Sequence, residues 1–206
     1  MSQLTRLGIL GGTFDPIHIG HLAMAQAVLE TMKLDKIFFV PCHLPPRKSA
    51  RGVTAAVHRY EMVRRAIQGN PGFAVSPFEK ENPGRSYTID TVRHFARKFP
   101  GARLFFAIGA DAYTSLGTWK DINGILGIVD FVVVNRPGDA PPLLSCDSKT
   151  RGRTGRGIRH LSVVMPGMDI SSSYIRQCVR WGKSIRYFVP QGVLRYIENH
   201  KLYQAQ

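Results

Sequence analysis

The chain has 206 residues, 44% hydrophobic and 20% charged, enough to bury one substantial core, so a single domain over residues 1–206 is expected. Lys and Arg number 28 against 14 Asp and Glu, a formal charge of +14, which favours anionic ligands: phosphorylated small molecules, nucleic acid or an acidic surface. No apolar run approaches the ~20 residues of a membrane helix, residues 1–6 do not resemble a secretory leader, and Cys42, Cys146 and Cys178 suggest neither disulfides nor zinc; a cytoplasmic protein without a membrane partner is expected.

Leu7-Gly8-Ile9-Leu10 predicts a buried strand, and Gly11-Gly12-Thr13-Phe14-Asp15-Pro16-Ile17-His18-Ile19-Gly20-His21 follows it. Paired glycines at a strand end let backbone N–H groups approach an anion closely. The helix that starts next turns its positive dipole end to the same place. His18 and His21, three apart, project toward one face of its first turn. That order of parts suits a nucleoside triphosphate. The helix is expected from Ile19 to about Met32, with Leu22, Ala25, Gln26 and Leu29 at helical spacing.

Lys36-Ile37-Phe38-Phe39-Val40 has the continuous apolar character of a parallel strand covered on both faces. Behind it the proline-rich loop from Cys42 contains Pro45-Pro46-Arg47-Lys48, which brings a cation, Lys48, near the strand ends. Thr54 is a candidate cap for a helix with Val57, Tyr60, Met62, Val63, Ala66 and Ile67 on its buried side. Phe73-Ala74-Val75 predicts a short strand.

Ser86-Tyr87-Thr88-Ile89-Asp90-Thr91 opens a helix that Pro100-Gly101 stops after Phe99. Free N–H groups and the Thr88 hydroxyl there can hold a carboxylate or phosphate. Arg103-Leu104-Phe105-Phe106-Ala107-Ile108 is the next buried strand, ending at Gly109-Ala110-Asp111. Gly109 permits close approach, Asp111 can accept from ribose hydroxyls or help hold magnesium, and Trp119 offers a flat face for stacking a ring. Short helical material at 112–116 and 122–126 leads to the strand Asp130-Phe131-Val132-Val133-Val134.

Residues 136–159 read as a basic loop insertion, with a glycine- and arginine-rich stretch from Lys149 to Arg159. Solubility, phosphate steering and weak nucleic-acid adhesion are its open roles. Leu161-Ser162-Val163-Val164 predicts the last strand. In Ile170-Ser171-Ser172-Ser173-Tyr174-Ile175-Arg176, three hydroxyls and three N–H groups at a helix start form an anion site, and Arg176 brings a guanidinium a turn later. Helices are expected over 172–180 and 190–199, with Pro190 at a first helical position. Cys42, His43 and His58 carry no recognisable chemistry, and Trp181 is expected beneath the last helix.

Strands alternating with helices imply an α/β fold with a doubly wound, mostly parallel sheet. Such sheets bind ligands beyond the strand carboxyl ends, where strand order reverses.

The string from Gly11 to His21 resembles the signature of the nucleotidyltransferase superfamily that carries a His-x-Gly-His motif. Pro45-Pro46-Arg47-Lys48 is similar to that group's Pro-Pro-x-Lys loop. The Ser86–Thr91 string, Gly109-Ala110-Asp111 with Trp119, and the Ile170–Arg176 string, with Ser173 where threonine is usual, resemble bacterial nicotinate-nucleotide adenylyltransferases in the same order. The resemblance implies a Rossmann-like fold and transfer of AMP from ATP to nicotinate mononucleotide, giving deamido-NAD and pyrophosphate. It implies catalytic roles for His18, His21 and Arg176. ATP would meet Gly11, Gly12, Thr13, Phe14, Lys48, Ser171, Ser172 and Ser173. The pyridine substrate would meet Tyr87, Thr88, Gly109, Asp111 and Trp119. Mg²⁺ would accompany ATP, without a dedicated set of protein ligands.

Nicotinamide mononucleotide or another phosphorylated acceptor stays open, as does a homo-oligomer. A different class, an RNA-binding module, is suggested by the charge and by the His-x-Gly-His string, which class I aminoacyl-tRNA synthetases share. Their Lys-Met-Ser-Lys-Ser-type loop is missing from this sequence, and no specific nucleic-acid partner is expected.

Overall fold

The computed structural model describes residues 4–45, 52–135 and 160–204. Six strands form one sheet: β1 (Arg6–Gly12), β2 (Lys36–Pro41), β3 (Phe73–Val75), β4 (Arg103–Gly109), β5 (Val129–Asn135) and β6 (His160–Val164). Their order is β3-β2-β1-β4-β5-β6, and every neighbouring pair is parallel. The sheet therefore grows outward from β1 in both directions. The reversal of strand order lies between β1 and β4, where a cleft is expected above the carboxyl ends.

Around the sheet stand α1 (Ile19–Thr31), α2 (Ala56–Ala66), α3 (Phe78–Glu81), α4 (Thr88–Lys98), α5 (Ala110–Tyr113), α6 (Ile122–Leu126), α7 (Ser172–Arg180) and α8 (Gln191–Asn199). Alternate strand residues feed two cores. Leu10, Phe105, Val132 and Val134 pack with Ala25, Val28, Met62, Ile175 and Ile197 on one face. Leu7, Ile9, Phe106 and Phe131 pack with Ile89, Val92, Phe95 and Ile125 on the other. Burial on both sides explains why the central strands read as unbroken apolar runs rather than alternating ones.

Several expectations need correction. β1 runs through both glycines, which pair with Val40 and Pro41, so the strand ends two residues later than its apolar run. α2 has Ala55, not Thr54, as its N-cap. Thr54 is drawn instead toward the loop after β1, where its N–H donates to Asp15 Oδ2. Val57 is 59% exposed, because the inward positions of α2 are Arg59, Met62 and Val63. Pro190 is the N-cap of α8, one residue before its first turn.

α3 was not anticipated, and the helical material near 112–116 resolves into α5 and a 3-10 turn at Leu116–Thr118. Trp181, the C-cap of α7, is 58% exposed. It packs against the Lys183 ammonium, 5.0 Å from its ring centre, rather than under the last helix. The insertion at 136–159 lies outside the described residues.

Candidate active site

A cleft of about 1170 Å³ opens over the carboxyl ends of β1 and β4. Of the residues expected to act, Gly11, Gly12, Thr13, Phe14, His21, Tyr87, Thr88, Gly109, Asp111 and Trp119 line it. His18, Ser171, Ser172, Ser173 and Arg176 are not among the lining residues, and Lys48 lies outside the described residues.

The β1–α1 turn is built around rings. Phe14 takes a positive φ of 48°, which folds its side chain back over the strand end. A Cβ at position 12 would sit 2.9 Å from Phe14 Cζ, so glycine there makes room for the ring. Phe14 meets His21 edge-on, with centroids 5.1 Å apart.

His18, 6% exposed, is the N-cap of α1 in extended backbone. Its ring stacks on that of His21 with centroids 3.7 Å apart and 28° between planes. A Cβ at position 20 would come within 3.1 Å of His18 Nδ1, so Gly20 gives the ring its place against the helix. The His18 N–H donates to His21 Nδ1 at 3.3 Å. That bond leaves the proton of the neutral His21 ring on Nε2. His18 Nδ1 is buried with no protein partner. Burial lowers the His18 imidazole to about 4. Burial, with the charge of His18 added, lowers His21 to about 3. Both rings are neutral at neutral pH.

The start of α7 leans on the same turn from behind. Ser171 Oγ caps the helix by accepting from Tyr174 N–H, and Ser172 Oγ donates to the Pro16 carbonyl at 2.8 Å. Arg176 Nη1 donates to the Asp15 carbonyl at 2.7 Å, and Nη2 donates to Ser173 Oγ at 3.2 Å. Ser172 and Arg176 thus both bond to the Asp15–Pro16 segment, which lies just before His18 in the chain. The Arg176 guanidinium rests on that segment and does not line the cleft.

At the other end of the cleft Tyr87 is the N-cap of α4, and Lys120 Nζ lies 4.2 Å above its ring. Trp119 stands edge-to-face against Phe106 and Phe131, centroids 5.9 and 6.2 Å away. These contacts hold its indole while the cleft keeps one side open. Asp111, exposed in the first turn of α5, adds a carboxylate. Among the described residues no group of three or more His, Cys, Asp and Glu side chains could hold a metal ion.

Two residues matter that sequence reasoning passed over. Arg59 is fully buried. Its Nε donates to the Thr54 carbonyl, Nη1 to the Thr13 carbonyl and Nη2 to the His43 carbonyl, at 2.7, 2.8 and 2.7 Å. It therefore pins the chain beyond β1, the chain beyond β2 and the entry to α2. The available signal was an arginine in phase with Met62 and Val63 on a helix's apolar side. Glu79, 8% exposed, lines the cleft and accepts from the Thr91 hydroxyl. Burial pushes its carboxyl up. Its helix, four residues long, is too short to show a period.

The cytidylyltransferase-like family matches this chain over residues 9–178. The chain is 42% identical over 198 residues to a protein named probable nicotinate-nucleotide adenylyltransferase from Exiguobacterium sibiricum, covering 96% of this chain and 98% of that one. It is 41% identical over 214 residues to one of the same name from Syntrophotalea carbinolica, covering 98% of each. A solved Plasmodium falciparum nicotinic acid mononucleotide adenylyltransferase, complexed with NaAD, shares the fold at a TM-score of 0.76 and 19% identity, with 97% of each chain covered.

Proposed function

The chain belongs to the cytidylyltransferase-like family and, within it, to the nicotinate-nucleotide adenylyltransferases, and on that premise we propose how its cleft works. It transfers AMP from ATP to nicotinate mononucleotide, giving deamido-NAD and pyrophosphate. The observation that carries this reading is the lining of one cleft by His21 together with Tyr87, Thr88 and Trp119.

The phosphate oxygen of the mononucleotide attacks the α-phosphorus of ATP in line. A new P–O bond forms as the bond to the β-phosphate oxygen breaks, and pyrophosphate leaves. The nucleophile is already ionised at neutral pH, so the protein needs no general base and forms no covalent intermediate. Its work is to align two anions that repel each other and to stabilise charge on the α-phosphate and the departing group.

His21 Nε2–H and the His18 ring beside it supply neutral donors to the α- and β-phosphates. Arg176 and Lys48 take the outer phosphates. A guanidinium has five N–H donors, so its two bonds to Asp15 and Ser173 leave others for phosphate oxygens. Trp119 stacks the pyridine ring, and the N–H groups at Tyr87 and Thr88 meet its carboxylate.

Magnesium is bound in such sites by one or two carboxylates plus substrate phosphates, with retained waters. A cleft with Asp111 exposed and Glu79 engaged by Thr91 fits an ion of that kind. Asp111 would hold it, and the ion would screen phosphate charge. The expected setting is the cytoplasm; among the described residues no helix is long and apolar enough to cross a membrane.

A pyrophosphate-release assay with ATP and a panel of phosphorylated acceptors tests the reading. Nicotinate mononucleotide is expected to give the highest kcat/KM, above nicotinamide mononucleotide. Release with a different acceptor alone, or with none, would contradict it.

A further inference from the structure

Asp15 is 4% exposed and is not part of the cleft lining, yet three distant elements meet on it. Its carbonyl accepts from Arg176 Nη1 at 2.7 Å. Its Oδ2 accepts from Thr54 N–H at 3.2 Å, and its Oδ1 accepts from the Tyr203 hydroxyl at 2.7 Å. Tyr203 lies beyond α8, 188 residues further along the chain. It adopts a φ of 66°, a left-handed backbone that costs a residue with a side chain energy; tertiary contact sets its direction. A second contact reinforces the approach, since the N–H of Ile19 donates to the Phe188 carbonyl at 3.0 Å. Burial and the Asp15 carboxylate both push the phenol up, so the hydroxyl stays protonated and donates.

We propose that Tyr203 is a positioning residue for adenylyl transfer, acting through Asp15 on Arg176 and on the turn that carries His18. The proposal rests on the adenylyltransferase reading above. Without the hydroxyl, one oxygen of a buried carboxylate loses its donor, and the side chain turns to find another. The Asp15 backbone then moves, and the guanidinium resting on its carbonyl moves with it. Phosphoryl chemistry depends on alignment, and a displacement of about 1 Å can cost roughly 100-fold in rate. Tyr87, Thr88 and Trp119 make no bond to Asp15, so pyridine binding is untouched.

Tyr203→Phe removes one oxygen and keeps the ring packed against the core. Its kcat is expected to fall about tenfold or more and its KM for ATP to rise, while KM for nicotinate mononucleotide stays within about twofold. Tyr196→Phe is the control: it removes a hydroxyl bonded to His58 Nδ1 at 2.9 Å, on the α2–α8 contact, and leaves all three constants as in wild type. Wild-type kinetics in Tyr203→Phe overturn the proposal. So does a change in all three constants that tracks a lowered thermal midpoint, which is a fold defect.

Calorimetric binding of an α,β-methylene ATP analogue gives a second readout. Tyr203→Phe should bind it more weakly than wild type, and equal Kd values overturn the proposal. Wild-type protein that binds the analogue but releases no pyrophosphate contradicts the assigned reaction, while the binding comparison still decides the role of Tyr203.

Discussion

Stacked imidazoles 3.7 Å apart could not both carry charge in a buried turn, and burial holds them near 4 and 3 for His18 and His21. In the proposed mechanism a neutral pair would give donors that need no counter-ion in the free protein and no reorganisation when phosphate charge develops. His21→Ala removes the proposed Nε2–H donor from the cleft lining. Loss of one such donor costs on the order of 10²–10³ in kcat, and KM for nicotinate mononucleotide should change little; near-normal turnover in a steady-state assay would take the ring out of the mechanism. The same pair makes the fold acid-sensitive. In the unfolded chain each histidine titrates near ~6.5, so below that pH the unfolded state binds protons that the folded pair refuses. Stability from this source is complete above ~6.5 and is lost as pH falls toward 3. Thermal midpoints should drop across that window, and a His18→Asn/His21→Asn double variant should flatten the fall; parallel acid limbs would contradict the assignment. At this scale the sequence was legible wherever a string had a chemical order, as in Gly11 to His21. Arg59 and Glu79 were not legible, since a lone charge on a helix reads as solvent-facing until its partners are known.

Elements announce themselves by burial. The central strands run apolar without interruption because helices cover both faces, so β2, β4 and β5 could be bounded to within a residue or two. α3 and the 3-10 turn at Leu116–Thr118 span a turn each, too little for a hydrophobic period to emerge. The misread cap at Thr54 has the same origin as the missed arginine: both residues belong to the clasp beneath the cleft, and tertiary partners overrode local preference. Arg59 joins the ends of β1 and β2 to the entry of α2 through three carbonyls. Arg59→Met keeps bulk and removes all three donors, leaving acceptors buried without partners. Urea unfolding should show a loss on the order of 3 kcal/mol; an unchanged midpoint would mean the clasp does not hold the loops.

On the scale of the whole molecule, alternation of strand and helix was enough to predict a parallel doubly wound sheet, and the sheet is parallel throughout. The order β3-β2-β1-β4-β5-β6 was not written in any periodicity: it depends on β4 returning to the free edge of β1 after β2 and β3 have been laid on the other. That return creates the cleft and lets α1 deliver His21 to one end while α4 and the turn after α5 deliver Tyr87 and Trp119 to the other. Lys149, Arg151, Arg153, Arg156 and Arg159 are five of the 28 basic residues, and their stretch lies outside the described residues. The proposed transfer is a single in-line displacement between two aligned anions, with no enzyme-bound intermediate. ATP made chiral at the α-phosphorus by sulfur substitution tests it directly: deamido-NAD formed from it should show inversion at phosphorus. Retention would mean two displacements through a covalent adenylyl-enzyme, and would rule out the single displacement.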